Sequence, residues 1–154
     1  MKLHHILTLL LVASALVVAS CSTLKNSQKS SRVPYTVAQR YFLKNDATTL
    51  PNGAITSASE FERLFGMATV MGKDGQPTSV DFNRQFVIAV SVPETNRATD
   101  IKPLALQQEN GSLVLSYTVE RGEERSYTIQ PLLLLVVDKK YEATVELRET
   151  GTKQ

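Results

Sequence analysis

Apolar and polar positions along the chain follow two periods, a helical one over a short stretch near residue 60 and a two-residue alternation over most of the rest. Tyr35 to Leu43 places Tyr35, Val37, Tyr41 and Leu43 on alternate positions and predicts a strand. Asn45 to Asn52 is polar and ends in Pro51-Asn52-Gly53, which is turn chemistry. Ser57 with Glu60, and Ser59 with Glu62, have the spacing of a capping box. Phe61, Leu64 and Phe65 then recur at helical spacing, and Gly66 offers a stop. A short helix with one apolar face is expected there. Lys73 to Pro77 is a loop, and Gln85 to Val92 is almost wholly apolar, as a strand buried on both faces should be, with Pro93 ending it.

Ile101 to Gln107 predicts a further strand, and Asn110-Gly111 marks a hairpin turn. Leu113, Leu115, Tyr117 and Val119 line one side of the returning strand, and Arg121-Gly122-Glu123-Glu124 is expected to turn the chain again. Ser126 to Ile129 starts another strand that resumes after Pro131 as Leu132 to Val137. Lys139-Lys140 sits at a turn, and Tyr141 to Leu147 closes the fold by alternation. The expected class is α+β, mainly antiparallel β sheet with one short N-terminal helix, closed either as a sandwich or as a half-open barrel. No internal repeat is present.

The first 34 residues have another character. Lys2 supplies a positive charge before an apolar run from Ile6 to Ala19, interrupted only by Thr8 and Ser14. That is the layout of a secretory signal peptide. A bilayer span needs roughly 20 apolar residues, more than this run provides. Val18-Ala19-Ser20-Cys21 resembles the lipobox of bacterial lipoproteins. The resemblance implies cleavage after residue 20 and lipid on Cys21, where each buried methylene contributes about 0.8 kcal/mol of anchoring. A plain secretory cut near Ala19 would instead leave Cys21 as a free thiol. Ser22 stands where an inner-membrane retention signal would place Asp, which by analogy favours the outer membrane. Lys25, Lys29 and Arg32 in place of acidic residues favour its periplasmic face. Residues 21–34 are polar, serine-rich and basic, so they read as a tether for a single β-rich domain over residues 35–150.

Composition narrows the chemistry. The chain has 17 basic and 15 acidic residues, and cleavage removes only Lys2 among them. So even a balance provides little excess charge to replace phosphate counterions, which argues against a nucleic-acid partner. His4 and His5 are the two histidines, and both precede Cys21. The processed protein would therefore hold no histidine, and its one cysteine would carry lipid. Triads of the Ser-His-Asp or Cys-His kind, zinc sites built on His or Cys, and internal disulfides all drop out. No cofactor, metal or catalytic residue is expected. Asp74 and Asp81 lack the alternating oxygen ligands of a calcium loop. Glu120 with Glu123 or Glu124 would be the carboxylate pair of a hydrolase, on a chain with no tryptophan to form a sugar platform. Tyr117, Tyr127 and Tyr141 are expected to pack on the sheet with their hydroxyls at its edge.

The order of elements resembles one known family. Ile55-Thr56-Ser57, Glu60-Phe61 and Leu64-Phe65 come first, then Val80 to Val90 (Val-Asp-Phe-Asn-Arg-Gln-Phe-Val-Ile-Ala-Val), then a hairpin ending in Pro131 and an apolar strand. Over about residues 55 to 138 these resemble the C-terminal domain of the protease complex subunit PrcB family. The resemblance implies a non-catalytic accessory lipoprotein associated with an extracellular protease. The family commonly carries a Thr-Gly-Gly-Tyr-like loop after the apolar strand, similar to that of chagasin-type protease inhibitors. Here the stretch is Glu94 to Asp100, where Thr95 holds the threonine position and neither the glycines nor the tyrosine occurs.

Glu94 to Lys102 is also the longest polar connection between two apolar strands, and binding groups concentrate on such loops. Glu94, Thr95, Asn96, Arg97 and Thr99 are therefore the candidate partner-binding residues, and Arg121, Glu123, Glu124 and Arg125 form a separate charged tip. The reading that follows is a membrane-anchored, non-catalytic binding or assembly module whose partner is another envelope protein. A protease inhibitor or protease-complex accessory subunit, and a carboxylate-dependent hydrolase, are the alternatives.

Overall fold

A computed structural model describes residues 30–72 and 75–151. Its strands are β1 (Ser31–Arg32), β2 (Thr36–Val37), β3 (Tyr41–Leu43), β4 (Gly53–Ile55), β5 (Phe65–Met67), β6 (Gln85–Ser91), β7 (Thr95–Glu109), β8 (Ser112–Ile129), β9 (Leu132–Asp138) and β10 (Val145–Glu149). Helix α1 (Ala58–Leu64) precedes β5, and a 3-10 turn (Lys139–Tyr141) follows β9. One sheet has the order β1-β7-β8-β10, the other β2-β9-β6-β4, and β3 pairs with β5 in a small third sheet. The class is thus α+β and mainly antiparallel, and the two large sheets form a sandwich rather than a closed barrel. One pair departs from the expected pattern: β10 lies parallel to β8, with Val145 opposite Leu113 and Glu149 opposite Tyr117.

The centre of the molecule is one long β-ribbon doubled over on itself. β6 pairs with β9 from Gln85↔Asp138 to Ser91↔Leu132, and the same two stretches of chain continue into the other sheet as β7 and β8, paired from Thr95↔Ile129 to Glu109↔Ser112. Asn110 and Gly111 close the far end with φ of 50° and 83°, the positive pair that a two-residue hairpin turn requires. Folding the ribbon in half lays one sheet over the other. Phe86, Ile88, Val90, Leu133, Leu135 and Val137 then meet Leu106, Leu113 and Leu115 across the gap.

The opposite faces of β6 and β9 are buried too. Val87, Ala89, Leu134 and Val136 pack under Phe61, Leu64 and Phe65. This is why Gln85–Ser91 and Leu132–Val137 are almost continuously apolar: a strand covered on both sides loses the polar half of its alternation. Each large side chain so buried contributes about 1.5–3 kcal/mol.

Ser57 caps α1 as its spacing requires, with its Oγ accepting from the Glu60 N–H at 3.3 Å. The helix end differs from the expected glycine stop. The chain leaves α1 at Phe65 in extended conformation (φ −117°, ψ 140°), and Gly66 is a strand residue opposite Phe42. A Cβ on Gly66 would lie 2.3 Å from the Phe42 ring, so the glycine makes room for that ring rather than for a left-handed cap.

Two further expectations are corrected. Tyr35 to Leu43 is two strands, not one, broken at Arg40 with φ of 66°. The alternation serves two destinations, since Tyr35 and Val37 pack on the core between the sheets and Tyr41 and Leu43 on the layer containing α1. The fold also begins before residue 35. Ser31 and Arg32 pair with Gln108 and Gln107, and Val33 is 1% exposed in the core. A single valine in a polar stretch carries no periodicity, so only its tertiary surroundings distinguish it from tether. Cys21 and the segment expected to be a signal peptide lie outside the described residues.

Candidate functional site

The stretch expected to be a binding loop is strand. Glu94 lies in the connection after β6, while Thr95, Asn96, Arg97 and Thr99 belong to β7. The charged tip expected to turn the chain at Arg121–Glu124 is likewise strand, inside β8. Thr95 lies opposite Ile129, Arg97 opposite Glu124 and Thr99 opposite Arg121, so the two clusters that stand apart in sequence are one site. Both stretches hide their strand character for the same physical reason. Residues 121–128 are all exposed, so neither face of the ribbon is buried and no alternation marks it as strand.

The site is the corner at which the ribbon doubles over. Ser91 and Ile101 are ten positions apart on one strand, and Leu132 and Val119 are thirteen apart on the other, between the same pairs of partners. The surplus is taken up by irregular register on either side of Arg97. Bulges of this kind bend a strand and raise its twist, which is how a sheet turns a corner. The hinge is closed at its base by the Val92 N–H donating to the Pro131 carbonyl at 3.4 Å and by the Gln130 side-chain amide donating to the Val92 carbonyl.

Arg97 holds the corner's geometry. Its backbone N–H donates to Thr95 Oγ1 (3.1 Å), and its carbonyl accepts from Thr99 Oγ1 (3.0 Å). Its Nε donates to the Gly122 carbonyl across the ribbon (3.1 Å), and its Nη1 lies 3.6 Å from Glu124 Oε1. Three of the predicted residues, Thr95, Arg97 and Thr99, are therefore engaged with one another and with β8. The Arg97–Glu124 pair is largely solvated, so its contribution is orientation more than stability.

An open concavity of about 500 Å³ lies on this corner, lined among others by Thr99, Glu120, Arg121, Arg125, Tyr127 and Ile129. Tyr127 is 53% exposed rather than packed flat on the sheet, and the Arg125 guanidinium stands 5.6 Å from its ring centroid. Arg125 Nη1 also donates to the Tyr127 hydroxyl at 2.6 Å. Lys102 lies 2.5 Å from Glu120 Oε2 and 3.9 Å from Asp100 Oδ2. The hydrogen bond to Glu120, and then its charge, hold the Lys102 ammonium above the usual lysine range. Tyr127 and Ile129 escaped the sequence reading as site residues. Their one signal is the spacing Arg125, Tyr127, Ile129 on alternate positions, which puts three binding-type side chains on one side of a strand.

The other candidates are used locally. Asp81 Oδ1 accepts from the Asn83 N–H at 3.0 Å and so holds its own turn, and Asp74 lies outside the described residues. Glu120, the first member of the carboxylate pair, is hydrogen-bonded to Lys102. Among the described residues no group of three or more His, Cys, Asp or Glu is placed to hold a metal ion, and no helix is long and apolar enough to cross a membrane. No family model matches the sequence, and neither a curated protein nor a solved structure was found to be similar to it.

Proposed function

We propose that the chain is a membrane-anchored envelope lipoprotein, tethered to the outer membrane through lipid on Cys21 and facing the periplasm, whose domain binds another envelope protein through the ribbon corner. The supporting observation is that corner. Ordering a residue's backbone costs about 1–2 kcal/mol, and residues 121–128 offset it with no buried side chain. Strand backbone held in solvent with arginine and an exposed tyrosine is the composition that protein interfaces favour. The Val18-Ala19-Ser20-Cys21 motif supports the anchor.

A photo-crosslinking residue placed at the exposed Asn96 in intact cells should capture one protein, and the same residue at Glu62 on α1 should not. Equal yields from the two positions would remove the corner from the account. Capture of a protease would select the accessory-subunit reading that the PrcB-like order of elements suggests. Membrane association is checked separately: Cys21→Ala should move the protein from the membrane to the soluble fraction.

A further inference from the structure

The corner carries a charge arrangement that specifies what it would bind. Two carboxylates line the concavity, Asp100 and Glu120, and both face Lys102. Arg97 is occupied by Glu124 and by the Gly122 carbonyl. Two further guanidiniums border the cavity. Arg121 has no ion-pair partner among the described residues, and Arg125 meets only the Tyr127 ring and hydroxyl there. Asp100 and Glu120 thus share the single positive charge of Lys102, while Arg121 and Arg125 bring two further positive charges, so the cluster is net cationic; Tyr127, Ile129 and Ala98 add apolar surface to the lining.

We infer that this concavity is a carboxylate-binding site that takes an acidic residue, flanked by an apolar one, from an extended peptide segment of the partner. The inference rests on the partner-binding reading of the corner. Guanidinium is the fitting group because its planar fork donates two parallel hydrogen bonds to a carboxylate. The volume, about 500 Å³, admits one or two side chains. An extended backbone suits the remaining geometry. β1 pairs with β7 only at Gln107 and Gln108, and β10 pairs with β8 only from Leu113 to Tyr117. Past those limits, among the described residues, the ribbon has no third strand beside it, and an open strand edge accepts an extended segment.

The test uses the full chain carrying Cys21→Ala, with N-acetyl-phenylalanine, its uncharged amide and inorganic phosphate as probes, read by amide chemical shifts. The acid should shift Gly122, Arg125 and Tyr127 saturably at millimolar concentration, and the amide and phosphate should not. Arg121→Gln with Arg125→Gln should weaken the acid about tenfold or more, the loss expected for charged hydrogen bonds. These side chains are exposed, so an otherwise unchanged spectrum will show that the variant is folded. Equal shifts from acid and amide, equal binding of phosphate, no saturation, or undiminished binding by the double variant would each overturn the proposal. The two readings separate cleanly. Crosslinks from Asn96 without acid binding leave the interface and remove the carboxylate site, whereas acid binding without crosslinks does the reverse.

Discussion

Phe61 is the side chain on which the outer layer of the molecule depends, and its replacement gives the sharpest energetic test of the fold. The residue is 5% exposed and packs on Val87, Ala89, Leu134 and Val136 beneath it. Its ring meets Tyr41 edge-on at 5.1 Å, Phe65 at 5.0 Å and Phe82 at 5.4 Å between centroids. These neighbours come from β3, from β5 and from the segment before β6, so one ring joins every element laid over the second sheet. Phe61→Ala removes the buried ring and leaves a cavity, with an expected cost of about 3–5 kcal/mol. Phe61→Leu keeps most of the volume and should cost about 1.5 kcal/mol. For a domain whose total stability is about 5–15 kcal/mol, the first variant is near the limit of folding and the second is not. Urea unfolding gives both free energies. Hydrogen exchange gives the location: in Phe61→Ala the amides of β3 and β5 should lose protection before those of β7 and β8, since Leu106, Leu113 and Leu115 belong to the other core. Equal costs for Ala and Leu would refute the volume argument. Uniform loss of protection would refute the separation of the two cores.

Two smaller perturbations test particular contacts. Gly66→Ala drives the half-exposed Phe42 ring off its site, at about 1 kcal/mol for the burial lost. In a Phe42→Ala background the same change should become stabilising by roughly 0.5–1 kcal/mol, because alanine costs less than glycine to order in a strand; a double-mutant cycle by urea unfolding shows whether the sign reverses. Asp138 Oδ1 accepts from the Lys140 N–H at 2.9 Å, and this hydrogen bond, with the charges of Lys140 and Arg84, holds its carboxyl below the usual aspartate range despite some desolvation. A lowered pKa stabilises the fold above the ordinary aspartate value of 3.8 and ceases to do so as pH falls through the folded-state value. The Tm advantage of the parent over Asp138→Asn should therefore be constant near neutrality and vanish on that acid flank; a difference that persists there would show that charge is not the cause.

Much of the fold was legible because its signals are local or strictly periodic. Ser57 and Glu60 announced α1, Asn110-Gly111 announced the turn between β7 and β8, and the unbroken apolar runs of β6 and β9 announced strands covered on both faces. What escaped depends on pairing between distant residues. Val33 enters the core only because Ser31 and Arg32 find Gln107 and Gln108, and Arg40 divides an alternating run because its halves belong to different layers. The candidate site is the clearest case. Sequence marked Thr95 to Thr99 and Arg121 to Arg125 as polar and charged, hence as two loops, since a strand exposed on both faces has no pattern to betray it. Only the tertiary structure set Arg97 against Glu124 and opened a concavity between Arg121 and Tyr127, because the doubled ribbon must place its surplus residues on one strand to turn its corner. Residue identity determined the chemistry available to this protein, and the bend of one hairpin decided which of those residues line the same concavity.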